Sequence, residues 1–245
     1  MLFNILLIIL LQFFIIVIII KRFVYFKPGK YTEINTEINE KYKEIKHNHL
    51  NVWILPNSNS NRVIIYFKDR VGNLTHYQEK IYKLYNLGYK VITFDYSGYG
   101  KSNGVPSEQQ LYDDGSIITS YIRQTNFPHE IILYGEGIGA SIALHVAIKY
   151  NISTVILDSP LPSINVLAKK ILGKAKILAF PFTEFNIQSL LRVYNGESLM
   201  FHSIDNKTIP YNSTLTLQKM VTNHIPLQGS QDPPWEDIKK FINDI

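Results

Sequence analysis

The side chains of this 245-residue chain that could carry proton transfer or nucleophilic attack are seven histidines, scattered serines and the acids; there is no cysteine. A thiolate nucleophile, a disulfide framework and thiolate metal sites are therefore excluded. His47, His49, His76, His129, His145, His202 and His224 lack the spacing of metal ligands, so no metal site and no cofactor is expected. Asp113 and Asp114 read as a solvated helix face, and Asp95 as a structural carboxylate tying the turn after its strand. Residues 98–102, GYGKS, resemble the tail of a phosphate-binding loop but lack its leading glycine at the required spacing. Net charge is +5, with the lysines scattered rather than striped, which argues against a nucleic-acid partner.

The elements that must position these groups alternate. Short apolar runs at 63–67, 91–95, 131–134, 154–157, 198–202 and 225–227 read as buried strands. Helical stretches fall between them, at about 75–87, 107–123, 140–150, 213–220 and 234–245. Residues 42–55 suit an antiparallel edge hairpin. This rhythm is that of an α/β domain with a mainly parallel, doubly wound sheet. It breaks at about 160–189, which reads as an inserted helical lid.

Residues 1–20 are apolar except for Asn4 and Gln12, and Lys21 and Arg22 follow at once. Twenty such residues make a helix about 30 Å long, the thickness of a bilayer core. A cleaved signal would need a charged start and a small-residue cleavage site, and neither is present. The expectation is a transmembrane anchor over 1–24, engaging the membrane through 1–20, ahead of one domain over 25–245. Lys21, Arg22, Lys27 and Lys30 all follow the span, which places the domain in the cytosol by the positive-inside rule. Sequons at Asn73, Asn151, Asn206 and Asn212 would suit the opposite side, and carry little weight in so Asn-rich a chain.

Over residues 40–245 the sequence resembles the alpha/beta-hydrolase superfamily, in its membrane-anchored single-domain serine-hydrolase branch. The resemblance rests on FDYSGYGKSNGVP at 94–106 followed by Ser107 and Glu108, with support from ILYG at 132–135, ILDSP at 156–160, IPY at 209–211 and DPPWEDI at 232–238. It implies the alpha/beta-hydrolase fold and a Ser-His-Asp triad with an oxyanion hole at the C-terminal ends of the strands. Carried over position by position, the triad is absent. The elbow reads Gly135-Glu136-Gly137-Ile138-Gly139, with Gly137 in the nucleophile's place. The acid position falls on Asn206, one residue after Asp205, and the base position on Gln231, which cannot accept a proton near neutral pH. The family's oxyanion loop, HGNAGN, aligns with residues 68–73: Gly72 and Asn73 match, its His-Gly pair has become Lys68-Asp69, Arg70 follows, and Ile138 comes after the lost nucleophile. Backbone donors could survive there, but an acid beside the hole would oppose developing negative charge. Ser141 lies inside the helix after the elbow, where its hydroxyl suits a backbone carbonyl better than attack.

Three outcomes stay open. Triad members act as a unit, so losing any of the central pair costs on the order of 10⁶ in rate. That favours a membrane-anchored pseudoenzyme which binds a lipid or acyl ligand, or a protein partner, with Glu136, Leu161, Phe180 and Phe182 as candidate pocket residues and Leu167 beside them. The second is a working hydrolase of lipid esters or thioesters with a rearranged site, such as Ser102 or Ser159 with His202 and Asp205. The third is a scaffold without ligand. A Ser and a His within hydrogen-bond reach would favour the enzyme.

Overall fold

In the computed structural model, residues 2–34, 36–124, 126–127, 130–174, 185–229 and 232–245 are described. Phe180, Phe182 and Gln231 lie outside the described residues.

Eight strands form one sheet in the order β1-β2-β4-β3-β5-β6-β7-β8. An edge hairpin, β1 (Lys43–His47) and β2 (Leu50–Leu55), turns at Asn48, whose φ is 55°, and pairs antiparallel onto β4 (Lys90–Phe94). From there β3 (Val63–Phe67), β5 (Ile131–Glu136), β6 (Thr154–Asp158), β7 (Glu197–Ser203) and β8 (Asn223–Leu227) are parallel. β3 is buried along its whole length because both of its faces are covered. Val63, Ile65 and Phe67 face one core, and Ile64 and Tyr66 the other. The first core is closed by α4 (Glu108–Ile122) and α5 (Gly139–Tyr150), the second by α3 (Gln78–Asn86) and α9 (Trp235–Asn243).

Two expected helices are broken in ways the sequence explains afterwards. The stretch at 75–87 divides at Tyr77 into a 3₁₀ turn at Leu74–His76 and then α3, and the turn starts at Asn73, which accepts the Thr75 N–H at 3.1 Å in a reciprocal cap with His76. Likewise 213–220 becomes a 3₁₀ turn at Tyr211–Thr214 followed by the four-residue α8 (Leu215–Gln218). A short α2 (Thr36–Asn39) precedes the hairpin. Of the expected lid, α6 (Ile164–Leu172) and α7 (Ile187–Leu191) are helical, and Ile164, Leu167, Ile187 and Leu191 join the first core.

Among the described residues no helix is long and apolar enough to cross a membrane. As backbone, the first helix, α1, runs unbroken for 24 residues, Leu2–Tyr25, and its apolar Leu7, Leu11 and Phe14 are 58%, 59% and 62% exposed.

Candidate functional site

The parallel strands end on a common edge, and β5 passes through a sharp turn into α5 there. Gly137 stands at that turn with φ +57°, the left-handed conformation that a side chain resists. Gly139 lets α5 approach so closely that a Cβ would collide with the Phe67 carbonyl. The turn therefore keeps the shape of a nucleophile elbow without a nucleophile.

Asp69 explains why. A Cβ built on Gly137 would collide with the Asp69 carboxylate, and Oδ1 of that carboxylate accepts the Ile138 N–H at 3.0 Å. In the hydrolase arrangement this N–H is one of the two oxyanion donors. The chain's own carboxylate thus takes the space a side chain at 137 would need and the N–H that a hydrolase would turn to its oxyanion.

The other residues of this loop are held in place from below. Lys68 is fully buried, its Nζ 3.3 Å from the Gly72 carbonyl and 4.5 and 4.0 Å from the ring centres of Tyr96 and Tyr99. Burial lowers its pKa to about 8, against the opposing pull of Asp95 and Asp69. Tyr96 and Tyr99 donate their hydroxyls to the Lys68 and Arg70 carbonyls at 2.7 and 2.8 Å, and Arg70 itself is buried. Asp95 accepts the Leu74 N–H at 2.9 Å and the Lys101 N–H at 3.4 Å, the structural carboxylate that the sequence suggested.

On the other side of the elbow stands a charged network. Lys80 Nζ lies 2.7 Å from both Glu136 Oε2 and Asp158 Oδ2. Tyr66 donates to Glu136 at 2.5 Å, and Tyr134 to Asp158 at 2.8 Å. Burial pushes the Glu136 carboxyl up to about 7; Lys80 opposes that rise and Asp158 adds to it. Lys80 stays above its ordinary range: burial would lower it, but Asp158 and Glu136 outweigh burial. Asp69, Lys80, Glu136, Gly137, Asp158, Ser159 and Asn206 line a cavity of 160 Å³ together with Thr208 and Ile209. Binding pockets for small molecules run to about 300–1,000 Å³ and are mostly apolar. Leu161 is not part of this lining; it is buried in the first core, its N–H donated to the Gly137 carbonyl at 3.2 Å.

The remaining candidates are engaged elsewhere. Asn206 Oδ1 accepts the Thr208 and Ile209 N–H groups, both at 2.9 Å, and so shapes its own loop. Asp205 reaches the Gly229 N–H at 3.1 Å. His202 is buried and its Nε2 donates to the Ile209 carbonyl at 2.8 Å; burial holds its pKa below the usual range, and Nδ1 has no partner among the described residues. Ser102 accepts the Asn51 N–H at 2.8 Å and donates to the Asp95 carbonyl at 2.6 Å. Ser141 donates to the Phe185 carbonyl at 3.3 Å, as expected of it. His145 stacks on Tyr112, with 4.3 Å between the ring centres. Among the described residues no three His, Asp or Glu side chains are grouped as metal ligands.

One cluster was missed. Asp114 is not on a solvated face; it is fully buried and accepts the Ser97 N–H at 2.7 Å. His49 Nε2 lies 2.9 Å from both Ser97 Oγ and Asp114 Oδ1, and Ser97 Oγ donates to Asp114 at 2.9 Å. A Ser, a His and an Asp in contact invite comparison with a triad. A triad needs the acid on one ring nitrogen and the serine on the other. Here both converge on Nε2, and Ser97 is fully buried. The cluster ties the hairpin turn and the loop after β4 to α4. Its signal was available, since Asp114 shares a helix face with Leu111 and Ile118.

The sequence profile of the family described as serine aminopeptidase, S33, matches residues 59–213. The chain belongs to that family. With it comes the alpha/beta-hydrolase superfamily, as the fold already indicated. Among curated relatives, a protein of Acanthamoeba polyphaga mimivirus, "Uncharacterized protein R595", is 29% identical over 76% of this chain and 72% of its own length. The Saccharomyces cerevisiae "Uncharacterized membrane protein YNL320W" is 29% identical over 63% of this chain and 53% of its own. Alpha/beta hydrolase domain-containing protein 17B of Xenopus laevis is 33% identical over 52% of this chain and 43% of its own. The chain thus spans about half the length of these last two. Among solved structures, the Pyrococcus furiosus esterase Pf2001 superposes with a TM-score of 0.68 at 17% identity, covering 90% of this chain and 98% of the esterase. An alpha-beta hydrolase from Vibrio vulnificus gives 0.68 at 16% identity, covering 89% and 95%. At such identities the likeness concerns the fold alone.

Proposed function

We propose that this S33-family chain is a membrane-anchored pseudoenzyme, α1 being its single membrane span, and that it works by binding. The observation that carries the catalytic half is Asp69 on the Ile138 N–H. A negative charge fixed in the hole opposes the oxyanion of any acyl transfer. The 160 Å³ charged cavity is too small and too polar for an acyl chain, which favours a protein partner over a lipid ligand held in the old site. The membrane half is supported by the unbroken 24-residue helix and its exposed apolar side chains. The yeast relative is itself described as a membrane protein.

A rearranged hydrolase would have to use Ser159, the one candidate serine that lines the cavity. Lys80, beside it, is held protonated by two carboxylates and cannot serve as its base.

Nitrophenyl-ester hydrolysis by the full chain in detergent micelles tests the catalytic half. The parent is expected to be silent, and Gly137→Ser with Asn206→Asp and Gln231→His to remain silent because Asp69 blocks the new serine. Adding Asp69→Gly, the family's residue there, is expected to bring activity. A parent rate above buffer that Ser159→Ala abolishes would overturn the proposal.

A further inference from the structure

The end of α1 is fixed to the site end of the sheet. Lys27 donates its N–H to the Arg70 carbonyl at 3.1 Å, and Gly72 donates to the Lys27 carbonyl at 2.8 Å. Asn73 Nδ2 holds the Gly29 carbonyl at 2.8 Å. These partners belong to the loop that carries Asp69. Tyr25, 4% exposed, meets Phe185 edge-on with 6.4 Å between ring centres, and α6 packs beside α1. Lys170 of α6 reaches the Thr208 carbonyl at 3.3 Å, so α6 lies beside the cavity rim.

This end of the molecule exposes a particular set of side chains. Lys27, Lys30, Lys169, Lys174 and Lys207 are exposed, and no ion pair among the described residues uses them. Val71 and Ile171 stand beside them, 44% and 50% exposed. Of the acids at this end, Asp69, Glu136 and Asp158 point into the cavity network, Asp205 is tied to Gly229, and Glu79 and Asp232 pair with Lys83, which leaves Glu33 exposed beside Lys30.

We propose that the site end of the sheet lies against the membrane that α1 enters, with these lysines docked on anionic lipid headgroups and Val71 and Ile171 at the interface. This rests on α1 being the anchor. Lysines unpaired by protein carboxylates are matched by an anionic leaflet, and the tether holds them within a Debye length of it. The mouth of the old site then opens toward lipid rather than toward the aqueous phase.

The chain has no cysteine, so single probes can be placed in it directly. Ile171→Cys, and Ser58→Cys in the loop before β3 at the opposite end, would carry a fluorophore. The full chain would be reconstituted into vesicles of phosphatidylcholine alone or mixed with phosphatidylserine, with nitroxide-labelled lipid as quencher. Quenching at 171 but not at 58, strengthened by phosphatidylserine and relieved by salt, is expected. Each lysine near an anionic surface is worth about fivefold in binding, so Lys169→Glu with Lys174→Glu should lower the docking equilibrium constant at least about 25-fold. Protein released by alkaline carbonate would show that α1 is not inserted, and both readings would fall. Retained protein with position 171 unquenched, or quenched regardless of the lysines, would overturn the docking alone.

Discussion

Asp69 does two things at once, and each can be measured. Its bond to the Ile138 N–H is charge-assisted, so Asp69→Ala is expected to cost about 1–3 kcal/mol of stability in chemical denaturation. Lys68 gives a pH signature. Its folded pKa of about 8 lies below the unfolded value, so between pH 8 and 10 the unfolded chain binds more protons and stability rises with pH. Lys68→Met should abolish that rise, worth up to about 3 kcal/mol. Glu136 behaves oppositely. Its pKa is raised to about 7, so its contribution is present below pH 4.5 and lost as pH rises through 7. His145, His202 and His224, all held low by burial, act in the other direction, so the readout is the difference between the parent and Glu136→Gln over pH 4.5–7. At this scale it was legible that position 137 has no side-chain oxygen and position 206 no carboxylate, because both are facts of composition. So was an acid two residues after β3. That its carboxylate closes on the Ile138 N–H was not, since this depends on where a loop places one side chain.

Elements were read well where both faces of a strand are apolar, as at Val63–Phe67 and Thr154–Asp158. They were read less well where a polar side chain competes for backbone groups. Asn73 is fully buried; it caps the start of the 3₁₀ turn through Thr75 and pins Gly29, so it begins one element and fastens another. Asn73→Ala leaves both the Thr75 N–H and the Gly29 carbonyl without this partner. A loss of about 2 kcal/mol or more is expected, seen as a lowered thermal midpoint. Aligned as part of an oxyanion loop, Asn73 gave no hint of this second role.

The molecule as a whole follows from the alternation of strands and helices, and its stability should be graded across the sheet. β3 is buried throughout, whereas β8 is half-exposed at the edge. Amide hydrogen exchange is expected to be slowest in β3, β5 and β6 and fastest in β8 and β1. Exchange as slow in β8 as in β3 would contradict that grading. The side of the domain on which α1 ends could not be read from the sequence, because the contacts that fix it join residues 25–29 to 70–73 and 185, far apart in the chain. The collision between a side chain at 137 and the Asp69 carboxylate also couples the two positions. A side chain at 137 and the carboxylate on the Ile138 N–H compete for one space, so a serine there has to swing Asp69 off its donor. Substitutions at 69 and 137 are therefore not independent, and their free energies should fail to add.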